Sequence, residues 1–303
     1  MFAYLDKKKL YIVAVSGGPD SIFCLDKMKN EGYRLIVCHV NYQKRNNSDY
    51  DENIVKEYCK KNNLVLEILK SKKEKKKCNF QAWARYFRYN FFFNMAKKYK
   101  SNHIIIAHNL DDHIETFLLQ KERKNLVNYW GLPFCLNWKN VDILRPILSY
   151  TKEYIINYLL NKKINFVFDE SNESSLYRRN IIRSHIKKKN IFEKKEIIKE
   201  IIKENKKLTK KKNIFENQKK NFILGSHLLS LKKKKISQEI YFRLLFFWIN
   251  KKTNGIFYHR KKNILNEVYK QLFISKKKNI LINLGKNWLI NKKGDKALIY
   301  RNM

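Results

Sequence analysis

The chain has 303 residues, 44% of them apolar, which is enough for one large domain or two modest ones with hydrophobic cores. It holds no apolar run of about 18 residues and no basic segment followed by an apolar stretch at its start, so neither a transmembrane helix nor a secretory signal is predicted. The formal net charge of +39 predicts a polyanionic partner such as nucleic acid, although an A/T-rich genome would also enrich lysine and asparagine.

The five cysteines form no C-x-x-C pair. This pattern predicts a reducing compartment and no zinc or iron–sulfur site. We therefore expect a cytoplasmic protein that is not bound to a membrane, with a plastid stroma as the alternative.

Residues 10–40 predict a strand, a turn, a helix and a second strand. Both predicted strands, Leu10–Val15 and Arg34–Val40, are apolar runs typical of buried strands. A turn that opens a helix points free backbone N–H groups and the positive end of the helix dipole at one spot, which predicts a phosphate site. The turn consists of Ser16, Gly17, Gly18, Pro19, Asp20 and Ser21.

This turn takes two of the 8 glycines and one of the 3 prolines in the chain. It is not a Walker A loop, because no lysine follows Gly18. An aspartate beside phosphates, here Asp20, predicts a bridging Mg²⁺, since a carboxylate next to bare phosphate would repel it. The string SGGPDS resembles the SGGxDS signature of the PP-loop ATPases, which cleave ATP between the α- and β-phosphates and adenylate a substrate oxygen.

Polar residues follow the second predicted strand at the sheet edge where ligands bind in open α/β sheets. His39 is predicted to bind the nucleotide, with a strand-end histidine bonded within the fold as the alternative, and Arg45 is predicted to reach a phosphate or an RNA backbone. A third strand is predicted at 64–69, and the lysine-rich run 70–77 is either a solvated loop or a phosphate-backbone contact. On the aromatic helix predicted at 79–99, Arg85 and Arg88 share a face and are predicted RNA contacts.

A fourth predicted strand, His103–Ala107, runs into a second polar cluster. Asp112 and Glu115 share one face of the helix that follows, and Asp111 lies at its cap. Two interpretations stay open: acids that cap a helix, or a Mg²⁺ ligand beside a carboxylate that receives a cationic substrate. On the second, Asp20 and Asp111 would hold the metal.

The chain resembles the tRNA(Ile)-lysidine synthase family over about residues 10–185, because a set of motifs occurs in the family's order. These are SGGPDS (16–21), HVNYQKR (39–45), ARYFRYNFF (84–92), AHNLDDHIET (107–116), RPIL (145–148), DESN (169–172) and RRNIIR (178–183). Members adenylate the wobble cytidine of an isoleucine tRNA with a CAU anticodon and then join free L-lysine to its C2, so that AUA is read.

The resemblance implies ATP and Mg²⁺ as cofactors, and tRNA(Ile) and L-lysine as partners. The oligomeric state stays open, with a homodimer as one option. The residues implied in catalysis are Asp20, Asp111, Asp112, Glu115 and Arg145. Those implied in binding ATP are Ser16 to Ser21, His39 and His108, and those implied in binding tRNA are Arg45, Arg85, Arg88, Arg179 and Arg183.

One segment departs from the family pattern. Relatives carry a glycine-rich stretch after the DDHIET helix, whereas residues 123–131 here hold no glycine before Gly131. Backbone contacts that those glycines would allow are therefore in doubt.

The resulting prediction is an α/β fold: a parallel five-stranded PP-loop sheet, of the adenine nucleotide alpha hydrolase type, flanked by helices in a catalytic domain at 1–185. A lysine-rich helical connector at 186–222 and a small α+β tRNA-binding domain at 223–303 follow. Two other functions stay open. One is another PP-loop tRNA-modifying activity such as 2-thiolation, which usually needs a cysteine pair that is not placed here. The other is an RNA-binding protein with a decayed ATPase site.

Overall fold

The structure is a computed structural model that describes residues 2–43, 48–71, 80–123, 126–138, 140–167, 178–225, 228–232, 235–253 and 262–302. Contacts divide the chain into two compact units. The first unit consists of Met1–Leu119 and Gly131–Ile197, and the second of Gln120–Trp130 and Ile198–Met303. The domain bounds expected from the sequence stay predictions.

The described part of the first unit contains six strands, and seven helices lie in it or begin in it. The strands are β1 (Leu10–Ala14), β2 (Arg34–Asn41), β3 (Val65–Lys70), β4 (His103–Ile106), β5 (Cys135–Trp138) and β6 (Val141–Leu144). The helices are α1 (Pro19–Asn30), α2 (Ser48–Lys61), α3 (Phe80–Lys98), α4 (Leu110–Arg123), α5 (Lys152–Asn161), α6 (Arg178–Lys187) and α7 (Ile191–Phe222).

The six strands form one sheet in the order β3-β2-β1-β4-β6-β5. Five neighbouring strands of this order, from β3 to β6, are parallel, which confirms the predicted α/β class and the five parallel strands. The sheet has a sixth strand that the sequence did not predict: β5 pairs antiparallel with β6 at the edge. All four β5 residues are exposed, so that strand lacks the alternation of buried and exposed residues by which strands are recognised.

The strand order explains where a ligand can bind. From β1 the chain moves to β2 and β3 on one side, and then returns to place β4 on the other. This change of direction opens a crevice at the carboxyl ends of β1 and β4, where ligands bind in open α/β folds. The centre of the sheet is fully buried, with Ile12, Val13, Ile104 and Ile105 at 0% exposure, so it forms a rigid base for that crevice.

The described part of the second unit contains an antiparallel sheet in the order β7-β10-β9-β8. Its elements are β7 (Leu228–Ser230), α8 (Gln238–Thr253), α9 (Lys262–Tyr269), a π-helical segment (Lys270–Ile274), β8 (Asn279–Gly285), β9 (Trp288–Lys293) and β10 (Lys296–Arg301). These helices and antiparallel strands confirm the α+β character expected of this region. Trp248 of α8 is fully buried in a core that includes Ile290 and Ile299.

Among the described residues, no helix combines the length and the apolar character needed to cross a membrane.

Candidate active site

The turn at residues 16–21 is held in shape by its own two serines. The backbone N–H of Ser16 donates to Oγ of Ser21 at 3.1 Å, and that hydroxyl donates to the carbonyl of Gly18 at 2.8 Å. Gly17 has a φ of +88°, and a Cβ there would lie 3.2 Å from the Asp51 carbonyl, so glycine is required at this position. The turn is therefore preformed at the start of α1, where a helix N-terminus favours an anion.

Asp20, in the first turn of α1, is bonded through both carboxylate oxygens. Its Oδ1 accepts from Nδ2 of Asn109 at 2.9 Å, and its Oδ2 lies 2.6 Å from Nζ of Lys152. These partners are 89 and 132 residues away along the chain. Sequence reasoning missed both, because no local pattern links them to the glycine turn.

Asn109 also fixes the beginning of α4. Its backbone N–H donates to Oδ2 of Asp112 at 3.1 Å, and its Oδ1 accepts from the backbone N–H of Asp112 at 2.9 Å. This reciprocal pair caps the helix, and its spacing of three residues is a signal that could have identified Asn109. Because Asn109 also bonds Asp20, it holds the two acids near each other.

The carboxyl of Asp112 is the most strongly perturbed acid of the site. Burial, and then the neighbouring charge of Asp20, raise its pKa to about 6. The Asp112 side chain keeps 26% of its surface exposed, and its Oδ1 lies 3.7 Å from Nη2 of Arg183. A partly accessible carboxylate with a raised pKa is a common feature of functional sites.

Glu115 lies one turn further along α4 and is almost completely buried, with 4% of its side chain exposed. Its Oε2 accepts from Nε of Arg183 at 2.5 Å, and Arg179 bonds its other oxygen. Both arginines lie on α6, four residues apart and so on one face. The predicted catalytic acid and two predicted tRNA contacts thus form one ion cluster around a buried carboxylate.

Asp111 is held from two sides. Its Oδ1 lies 2.8 Å from Nζ of Lys194, which is buried on α7. Its Oδ2 accepts from the backbone N–H of Lys152 at 3.4 Å. Lys152 therefore contacts Asp111 through its main chain and Asp20 through its side chain.

His108 and Arg145 follow the neighbouring strands β4 and β6. Nε of Arg145 donates to Nδ1 of His108 at 3.0 Å, and Nη1 donates to the Pro133 carbonyl at 2.8 Å. Burial, together with the positive charges of Arg145 and three other arginines, lowers the pKa of His108 to about 3. The ring is therefore neutral and carries its proton on Nε2. Arg145 is buried, at 3% exposure, so within the described residues it reaches the site through His108.

His39, at the end of β2, is also neutral. Its Nδ1 bonds the Val15 carbonyl at 2.9 Å, which fixes the last residue before the glycine turn. Burial lowers the pKa of the ring. Its buried Nε2 has no hydrogen-bond partner within the described part of the chain.

Of the remaining predicted RNA contacts, the structure describes Arg85 and Arg88 but not Arg45. Arg85 lies over the ring of Tyr89 at 4.8 Å, and Arg85 and Arg88 are two of the charges that act on His108. Arg45 and the DESN motif at 169–172 lie outside the described residues.

The oxygen-rich cluster can contribute part of a Mg²⁺ site. Mg²⁺ is usually held by one or two carboxylates together with substrate phosphates and water. Asp20 with Asp111 or Asp112 matches that set. Within the described ranges, no group of three or more His, Cys, Asp or Glu residues is arranged to hold a metal by itself. The assignment of Asp20 and Asp111 as metal ligands stays a prediction.

The unusual loop before Gly131 has contacts of its own. In the second unit, Asn205 bonds both the N–H and the carbonyl of Trp130, at 2.9 and 3.0 Å. In the first unit, Gly131 has a φ of +72°, and a Cβ there would lie 2.6 Å from Cε1 of His113. Gly131, the single glycine of residues 123–131, therefore packs against the imidazole ring of His113.

Comparison of the amino-acid sequence with known proteins shows the family to which this chain belongs. The PP-loop domain family matches residues 2–190. A tRNA(Ile)-lysidine synthase from Mycoplasma mycoides subsp. mycoides SC is 42% identical over 228 residues, which cover 74% of this chain and 56% of that protein. A second, from Mycoplasmopsis pulmonis, is 38% identical over 249 residues, which cover 80% of this chain and 84% of that protein. The chain belongs to the tRNA(Ile)-lysidine synthase family of PP-loop proteins.

The match spans little more than half the length of the Mycoplasma mycoides relative. The fold is also similar to that of a solved structure, the U34-tRNA thiolase NcsA from Methanococcus maripaludis with its 4Fe–4S cluster. The TM-score is 0.56 at 15% identity, and the alignment covers 67% of this chain and 74% of that one. This likeness shows the PP-loop fold alone. Family membership and fold thus agree with the motifs from which both were predicted.

Proposed function

We propose that this protein ligates L-lysine to C2 of the wobble cytidine of an isoleucine tRNA with a CAU anticodon, through an adenylated cytidine. The observation that carries the proposal is the meeting of Asp20, Asp112 and Glu115 at the carboxyl edge of the sheet, where Asn109 bonds both Asp20 and Asp112. Chain identity of about 40% to lysidine synthases supports the same substrates.

The nucleotide would bind at the glycine turn. The preformed turn and the N-terminus of α1 offer backbone N–H groups to phosphate oxygens. Mg²⁺, when bound, would neutralise phosphate charge, with Asp20 and Asp111 as its proposed protein ligands. His108 would donate a hydrogen bond from Nε2 to the nucleotide, since its Nδ1 already accepts a hydrogen bond from Arg145.

The acid that receives the lysine ammonium is proposed to be Asp112. Glu115 is already paired with Arg179 and Arg183, whereas Asp112 keeps more accessible surface. An ammonium beside Asp112 would favour the carboxylate over the acid and so offset the effect of burial on its pKa. Glu115 would then act by holding α6 and its arginines beside the substrate.

The RNA would be held mainly by positive charge. Besides Arg85 and Arg88, five lysines of α7 in the second unit line one surface hollow: Lys199, Lys203, Lys206, Lys207 and Lys210. A lysine cluster of this density favours a polyanionic partner. Association should weaken steeply as salt is raised.

The test is incubation with ATP, Mg²⁺, radiolabelled lysine and a CAU-bearing isoleucine tRNA. Transfer of label to the tRNA, lost in an Asp112→Ala variant and absent with a methionine tRNA, is expected. Adenylation of tRNA without lysine transfer would favour another PP-loop modification such as 2-thiolation. Binding of tRNA with neither activity would favour an RNA-binding protein. We propose a cytoplasmic location, since the two relatives are bacterial and give a plastid no support.

A further inference from the structure

Lys152 is a cation in the candidate nucleotide site that no motif identifies. Its Nζ lies 2.6 Å from Oδ2 of Asp20, and its side chain is 38% exposed. The lysine is the first residue of α5, directly after the helix cap Thr151. It therefore reaches the glycine turn from a distant part of the first unit's sequence.

The position of Lys152 does not serve the helix that carries it. A cation in the first turn of a helix is disfavoured by the helix dipole. The N-terminus of α5 is already capped by Thr151, whose Oγ1 accepts from the N–H of Tyr154 at 3.2 Å. What favours a lysine there is Asp20, the acid that its ammonium contacts, whereas Asp111 bonds only its backbone N–H.

The glycine turn itself contains no cation that could contact phosphates. In a Walker A loop the lysine that contacts the phosphates follows the last glycine, whereas here that place holds Pro19. A flexible lysine with an exposed stem can move its ammonium by several ångströms at little cost. Phosphates bound at the turn would lie within that range, because Asp20 belongs to the turn itself.

We propose that Lys152 is a phosphate-binding residue that neutralises Asp20 in the nucleotide-free protein and turns to the ATP phosphates when Mg²⁺ takes its place on Asp20. This inference rests on the proposed use of Mg·ATP at this site. It makes Lys152 and a divalent cation competitors for one carboxylate oxygen. Loss of the lysine must then strengthen the binding of the metal alone and weaken the binding of the metal–nucleotide complex.

The experiment compares the full chain with Lys152→Gln, Lys152→Arg and the matched control Lys162→Gln. Lys162 lies just beyond the other end of α5 and faces a different aspartate, with Nζ 3.6 Å from Oδ2 of Asp26. The control therefore removes the same charge from the same helical region. Mn²⁺ binding without nucleotide is measured by electron paramagnetic resonance, and Mg·ATP binding by calorimetry.

We expect Lys152→Gln to bind Mn²⁺ alone roughly two- to fivefold more tightly, the range of a partly exposed ion pair. The same variant should bind Mg·ATP at least about tenfold more weakly, as loss of a charged hydrogen bond implies. Lys152→Arg should restore most of the Mg·ATP affinity, and Lys162→Gln should change neither value.

Weaker binding of both ligands by Lys152→Gln would mean that the lysine only supports the structure, and unchanged binding of both would also overturn the proposal. If the unaltered protein binds no Mg·ATP, the proposed function itself fails. That outcome is distinct from failure of the Lys152 assignment, in which the unaltered protein binds the nucleotide normally.

Discussion

Nε of Arg145 donates a hydrogen bond to Nδ1 of His108 across 3.0 Å, so a buried arginine fixes the tautomer of a histidine in the candidate site. The two residues come together because β4 and β6 are neighbours in the sheet, although 37 residues separate them along the chain. The burial of the ring and the positive charge of Arg145 together keep His108 neutral.

Replacement of Arg145 by Met should release His108. Without the adjacent charge, the pKa of His108 should rise from about 3 towards the ordinary value of a histidine. Ring ¹⁵N chemical shifts measured against pH would report the pKa and the tautomer, with His103, at the other end of β4, as an internal control. The variant should also lose about 2 kcal/mol of stability, because two hydrogen bonds from a charged group are removed. A ring that titrates as before would contradict the assignment.

Replacement of Glu115 by Gln should loosen α6. The change removes the negative charge that Arg179 and Arg183 share, and about 2 kcal/mol of stability should be lost with it. Amide hydrogen exchange over residues 178–187 should accelerate. The matched control is Glu216→Gln, since Glu216 pairs with Lys219 on the surface of α7 and should contribute almost nothing. Equal effects of the two variants would argue against a structural ion cluster.

Replacement of Asp112 by Asn should stabilise the protein more at pH 7.5 than at pH 5. The folded-state pKa of about 6 lies above the ordinary value of 3.8, so the unfolded chain loses this proton first as the pH rises. Asp112 therefore lowers stability progressively between about pH 4 and pH 6, and the penalty is constant above that range. The difference in stability between the variant and the unaltered protein should grow by on the order of 1 kcal/mol between the two pH values.

Urea denaturation at both pH values measures this difference. The control is Asp142→Asn, an acid on β6 that lies apart from this cluster and bonds Asn137 at 2.7 Å. The change in the effect of Asp112→Asn between the two pH values is read against the change seen for this control. A pH-independent effect of Asp112→Asn would mean that the carboxyl of Asp112 has an ordinary pKa.

Replacement of Gly131 by Ala should cost more than the same change at Gly32. Both glycines have a positive φ, of +72° and +80°, so both variants carry the backbone cost of about 1 kcal/mol. Among the residues that the structure describes, none lies within 4 Å of a Cβ at Gly32, whereas the ring of His113 lies 2.6 Å from one at Gly131. A total loss of about 3 kcal/mol is expected for Gly131→Ala, because the ring must also move. Thermal denaturation of both variants measures the difference, and equal losses would exclude the steric contribution.

The sequence alone determined the class of fold and predicted the chemistry of the turn. Apolar runs of strand length, interrupted by a glycine turn and helical periodicity, predict a parallel sheet because such strands are buried on both faces. The turn at 16–21 is local, so the prediction of an anion site there needs only residues that are adjacent in the chain. The motifs at 107–116 and 178–183 are continuous stretches too, and for that reason the sequence also predicts Asp112, Glu115, Arg179 and Arg183 as site residues.

Only the tertiary structure decided which of these charges face one another. Glu115 is paired with Arg179 and Arg183, His108 is held by Arg145, and Lys152 lies on Asp20. Each pair joins residues that are 37 to 132 positions apart, and no periodicity connects them. The physical reason is that strand order and helix placement choose partners, and a charge in the sequence does not indicate which opposite charge will neutralise it.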